Sequence, residues 1–179
     1  MKKLKEFIIS FSGLKQGKHD FDFTIKNEFF ESFEYDEFNG TDINLDVTLN
    51  KMSTMMELEM EARGTVNVNC DLTDEAYDQE ISADLKLVVK FGDEFNNDND
   101  EILVIPHREH QVDISQYVYE MLVLSVPLKK VHPGVLDGTL QSETLDKLEE
   151  LHPKDIEENK EDEDNDPRWD ELKKLLTGK

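Results

Sequence analysis

Cys70, His107, His110 and several acidic runs are the residues of this chain whose types could support chemistry. Cys70 is the only cysteine, which excludes an internal disulfide and a cysteine-based zinc site. A thiol becomes a nucleophile when a neighbouring base or positive environment draws off its proton. Cys70 has no His at close spacing and falls on the apolar parity of a strand pattern, so it reads as a buried structural cysteine. His107 and His110, in Pro106-His107-Arg108-Glu109-His110, could form half a metal site. Their spacing does not match the zincin helix, and the segment reads as a solvated connection. The runs from Asp93-Glu94 to Asp98-Asn99-Asp100, and Glu161-Asp162-Glu163-Asp164, raise calcium as a ligand. A calcium loop needs alternating oxygen donors, a turn glycine and a terminal Glu. Residues 93–101 lack that frame and read as a solvated loop. There is no Gly-rich phosphate loop, no Ser/His/Asp order and no basic-aromatic patch. No catalytic, metal or cofactor-binding residue is assigned, and no enzymatic activity is expected.

The charge balance says more about partners than any motif does. Lys and Arg total 20 against 42 Asp and Glu, a net charge of -22. Nucleic-acid binding draws much of its affinity from cations that displace counterions from phosphates, so direct contact with bare RNA or DNA is disfavoured. Anionic membrane is disfavoured for the same reason, and basic proteins are the easier partners. Met1-Lys2-Lys3 could open a signal peptide, but Lys5 and Glu6 interrupt it and Phe7-Ile8-Ile9 is too short for its apolar region. No stretch is long enough for a transmembrane helix, so the expected location is the cytoplasm.

Strands dominate the pattern before about residue 113. Phe21, Phe23 and Ile25 alternate with polar neighbours, as do Ile43, Leu45, Val47 and Leu49. Ile81, Ala83, Leu85, Leu87, Val89 and Phe91 hold one parity. So do Met56, Leu58, Met60 and Ala62, then Val66, Val68, Cys70 and Leu72, with Gly64 as the one gap. Period-two patterning buries one sheet face and wets the other, the habit of antiparallel sheets. The second series is either one long strand bulged at Gly64 or two strands in register, and its unbroken parity favours the long strand. Residues 28–33 suit a short helix. Asp113-Ile114-Ser115-Gln116 has the form of a capping box, with Asp113 as N-cap and Gln116 reaching back. Ile114, Tyr117, Val118, Met121, Leu122 and Ser125 then follow at helical spacing until Pro127. That helix should lay its apolar stripe on the sheet. The fold class is α+β: a twisted antiparallel sheet or partly closed barrel with one main packed helix.

Three segments follow from composition. Residues 1–140 form the β-rich domain. Residues 141–165 carry 11 acids and 3 bases with few apolar groups, and read as an acidic tether with a short helix near residues 144–151. Residues 166–179 regain order: Asp166 can cap a helix, and Pro167 suits its first position. Trp169, Leu172, Leu175 and Leu176 line one face, and this segment alone is not negative, with 3 acids and 4 bases. So short a helix is marginal alone in water and must dock, either on its own domain or on a partner. Asp166, Pro167, Arg168, Trp169, Leu172, Leu175 and Leu176 are the candidate partner-binding residues.

The order of these features resembles the YceD family, also called large ribosomal RNA subunit accumulation proteins and catalogued as a domain of unknown function. The resemblance rests on Gly64-Thr65-Val66-Asn67-Val68-Asn69-Cys70, on Val112-Asp113-Ile114-Ser115 and on Leu124-Ser125-Val126-Pro127-Leu128. It is completed by the closing Asp166-Pro167-Arg168-Trp169-Asp170-Glu171-Leu172 after an acidic spacer. It implies a bacterial cytosolic factor that supports large-subunit ribosomal RNA accumulation. With the acidity and the docking helix, the expected partner is a basic ribosomal protein or pre-ribosomal large subunit. The alternatives are an enzyme acting on ribosomal RNA processing intermediates or a purely structural acidic module. Many members of the family carry Cys-x-x-Cys in the central strand and further cysteines later. Here Cys70 is followed by Asp71-Leu72-Thr73, and the later stretch reads Val131-His132-Pro133-Gly134. One Cys and one His cannot close a tetrahedral site, so packing alone would have to hold this region.

Overall fold

Long alternating sequences need long strands, and the structure, a computed structural model describing residues 5–99 and 101–151, supplies them. The chain divides into two compact units, Met1–Ser142 and Glu143–Lys179. In the first, a 3-10 turn at Lys5–Phe7 leads into β1 (Ile8–Ser10) and β2 (Gly17–Ile25). Then come α1 (Asn27–Glu31), β3 (Gly40–Lys51), β4 (Met55–Asn69) and β5 (Ala76–Gly92). The series continues through β6 (Asn96–Asn99), β7 (Ile102–Pro106), β8 (Gln111–Asp113), α2 (Ser115–Ser125) and α3 (Pro133–Leu136). The described part of the second unit is α4 (Glu143–Leu151), whose Leu148 and Leu151 are exposed.

The fold is α+β, as the patterning predicts. Six strands form one sheet in the order β2-β3-β4-β5-β7-β6, and β1 pairs with β8 apart from it. The sheet is open rather than barrel-like, and it is mixed: β5 and β7 run parallel. The cause is the connection between them. Leaving β5, the chain lays down β6 one strand-width too far out, then returns as β7 to fill the gap, antiparallel to β6. Residues 93–101 are thus not simply a loop. Asn side chains make the turn there, Asn96 Oδ1 accepting from the Asp98 N–H at 3.0 Å and Asn99 Oδ1 from the Glu101 N–H at 2.9 Å.

β4 is one strand of 15 residues, paired without a register shift to β3 and β5. No bulge occurs at Gly64. The glycine is there for space: it lies between Ile43 and Ile81, and a Cβ would strike the Asp42 carbonyl and sit 2.6 Å from Ile43 Cα. Met56, Leu58, Met60, Ala62, Val66 and Val68 are all buried, as their shared parity requires. Each large apolar side chain taken from water contributes about 1.5–3 kcal/mol, so this strand anchors the core.

α2 begins later than a capping box at Asp113 would place it. Asp113 ends β8 opposite Ile8, and the N-cap is Ile114. Asp113 Oδ1 accepts from the Ser115 N–H at 3.0 Å and the Ser115 hydroxyl at 2.6 Å, while Gln116 donates forward to Glu120 Oε1 instead of reaching back. Pairing with β1 has claimed the Asp113 backbone for the strand. α2 packs against β5 with Ile114, Val118, Met121 and Leu122 buried. Phe33 stacks on Tyr119 at 4.3 Å and Phe7 on Phe23 at 5.2 Å, closing the α1 side of the core.

Candidate functional site

Strand β5 runs for 17 residues, yet β7 lies beside only its last five, Val88 to Gly92. Among the described residues, no strand pairs with that side of β5 over residues 76–87. The Val88 N–H donates to the Glu101 carbonyl at 2.8 Å, so even-numbered residues of β5 direct their backbone groups toward the β7 side. By the two-residue period, Ser82, Asp84 and Lys86 present N–H and C=O to the open stretch.

The side chains show the same gap. Ile81 is 5% exposed and Leu87 is 0% exposed, whereas Ala83 and Leu85 between them are only half-buried. These two residues, with Leu103, Ile105 and Met121, line a groove of about 1290 Å³ between β5, β7 and α2. Leu124 and Phe95 also line it, although they are 83% and 60% exposed. The residues lining it include six acidic ones, Asp84, Asp93, Glu94, Glu109, Asp113 and Glu120, and only one basic residue, Arg108. Small-molecule pockets run to roughly 300–1,000 Å³, so this acid-lined groove is larger than most of them.

Sequence patterning places Ala83 and Leu85 on the buried parity but cannot show that their edge is left uncovered. That depends on where β7 joins the sheet. Leu124 carried a faint signal, because it falls off the apolar stripe of α2 and is not required by the core.

Of the residues singled out for chemistry, Asp93 and Glu94 line the groove, whereas the two histidines and Cys70 lie elsewhere. His107 and His110 sit in the exposed β7–β8 connection, where the His107 ring stacks on Phe91 at 6.2 Å and the His110 carbonyl accepts from the Phe11 N–H at 3.1 Å. Among the described residues, no three His, Cys, Asp or Glu side chains converge as metal ligands. Cys70 is buried just beyond the end of β4. The structure brings it to His132, whose main-chain N–H donates to Cys70 Sγ at 3.3 Å. Next to it, Asp71 Oδ2 accepts from the Lys130 N–H and the Asp71 N–H donates to the Lys130 carbonyl, both at 2.7 Å. Packing alone does not hold this region, then; a polar clasp does. Burial pushes the Cys70 thiol up, but donors from His132, Thr73 and Leu72 outweigh it and hold the thiol below its ordinary value. The candidate residues Asp166, Pro167, Arg168, Trp169, Leu172, Leu175 and Leu176 lie outside the described residues. No described helix is long and apolar enough to cross a membrane.

Comparison with curated proteins gives no match, and comparison with solved structures gives none either. One family model, described as large ribosomal RNA subunit accumulation protein YceD, matches residues 58–176. The matched span begins within β4 and takes in the open edge of β5, the acidic residues of the groove and the Cys70–His132 clasp. It covers well over half of the sequence, and on that match the chain belongs to the YceD family.

Proposed function

We propose that this protein is a non-enzymatic factor in large ribosomal subunit assembly that supports ribosomal RNA accumulation by binding a basic ribosomal protein or a pre-ribosomal particle. The family description supplies the process. The mode of action rests on one observation: a groove lined by apolar side chains, six acidic residues and a single Arg. Fixed negative charge around apolar surface attracts cationic protein and repels phosphate backbone. The net charge of -22 extends that field over the whole chain and speeds encounter with basic partners.

Residues 166–179 are a second contact in this reading. Of the three segments that composition defines, this one alone is not negative, and its sequence carries the apolar residues Trp169, Leu172, Leu175 and Leu176. Crosslinking mass spectrometry on purified large-subunit precursors tests the function directly. Crosslinks from the groove to a basic ribosomal protein are the expected result. Precursors that yield no crosslink to any ribosomal protein, together with unchanged ribosomal RNA after gene deletion, would sink it.

A further inference from the structure

We infer that the open stretch of β5 takes up an extended, basic segment of a partner protein as an added strand. This deepens the proposed function and rests on its reading of a basic protein partner. Three observations converge on residues 82–86. Backbone N–H and C=O groups of Ser82, Asp84 and Lys86 face the side where, among the described residues, no strand pairs. Ala83 and Leu85 remain half-buried between fully covered neighbours, the condition of a sheet that lacks one strand at this position. The acidic residues Glu109, Asp113 and Glu120 line the same groove, and Asp84 lies on the strand edge itself.

Strand addition uses all three. Main-chain hydrogen bonds to the edge supply affinity that does not depend on sequence. Alternate side chains of the incoming strand point inward, where apolar ones cover Ala83, Leu85 and Leu124, and outward or toward the acidic residues, where Lys or Arg meets carboxylate. Lys86 does not oppose a cation there as a bare charge, because Glu59 pairs with it at 3.0 Å. The gap of residues 82–86 spans about 17 Å, the length of an ordinary strand. A docked helix would satisfy none of the edge amides, and an RNA strand would face the acidic residues with like charge.

The test uses the full chain and synthetic peptides of about ten residues, the length of a long strand. The first alternates Lys with Leu. The second has the same composition at helical spacing. The third is the alternating peptide N-methylated at every second amide, which keeps its charge and side chains but removes the ladder donors. Calorimetry gives affinity, and amide hydrogen exchange gives the site. The alternating peptide should bind and slow exchange at Ser82, Asp84 and Lys86, and N-methylation should weaken it by roughly tenfold or more. Equal binding of the helical isomer, indifference to N-methylation, protection only at other residues, or tighter binding of a single-stranded RNA decamer would each overturn strand addition. Asp84→Pro removes one edge N–H without touching the β4 ladder, and should lose the peptide while its circular dichroism stays that of the parent. If Asp84→Pro still crosslinks to a ribosomal protein in precursors as the parent chain does, strand addition falls while the broader function stands. If neither chain crosslinks to one, the broader function falls with it.

Discussion

The His132 main-chain N–H and the Cys70 sulfur, 62 residues apart in sequence, are joined by a 3.3 Å hydrogen bond. Beside it, Asp71 and Lys130 exchange two bonds of 2.7 Å. Together they tie the segment after α2 to the end of β4.

Asp71→Ala should therefore loosen this segment without unfolding the sheet. It strands the Lys130 N–H, and the expected loss is about 1–2 kcal/mol, read as a lower urea midpoint. Exchange at the Lys130 amide should speed up, while amides of the β3–β4 ladder keep their protection.

Gly64→Ala should be far more costly than an average surface change in a strand. Its Cβ would run into the backbone of β3 at Asp42 and Ile43, which cannot rotate aside as a side chain can. Overpacking of this kind costs about 3 kcal/mol. Thermal unfolding of the variant beside Thr65→Ala, one residue along, checks that the effect belongs to position 64.

Tyr35 should make the fold sensitive to strong alkali. Burial, then the Glu37 carboxylate beside its hydroxyl, push its pKa up to about 12 from an ordinary value of 10.0. An acid whose pKa is raised by folding favours the folded state while protonated. Its contribution is complete below pH 10 and is lost as pH rises toward about 12. Ultraviolet titration should show a late tyrosinate that disappears in Tyr35→Phe, leaving that of Tyr77, which burial also raises, and Glu37→Gln should bring the Tyr35 step earlier.

Trp169→Ala tests the closing segment. A partner contact predicts weaker binding to large-subunit precursors by about 2 kcal/mol, the scale of an aromatic hot spot, with the melting temperature unchanged. A melting temperature that falls while binding holds would mean the segment serves its own domain.

Much of the fold was legible because burial follows parity. The run from Met56 to Val68 announces a long strand, and the structure makes it one. What parity cannot carry is the order of strands. Nothing in Asn96-Asn97-Asp98-Asn99 shows that these residues pass over the place that β7 will fill, so the parallel pairing came as a correction. Asp113 illustrates a different limit: its sequence suits a helix cap, but its backbone is taken by Ile8 from the far end of the unit. The groove was hidden for both reasons, since it exists only where a long strand outruns its neighbour.

An uncovered strand edge invites a second copy of the same molecule, the route by which sheets polymerise. On this edge Asp84 and its acidic neighbours work against that outcome. Two copies meeting there would set carboxylate against carboxylate, each on a chain carrying a charge of -22. On the proposed strand addition, the same charges would act as a gatekeeper with a sign, disfavouring copies of itself and favouring cations. Salt relaxes that discrimination, because a Debye length of about 8 Å at physiological ionic strength shrinks to about 3 Å at 1 M. Concentrated salt should therefore weaken capture of basic segments and promote self-association through one and the same strand.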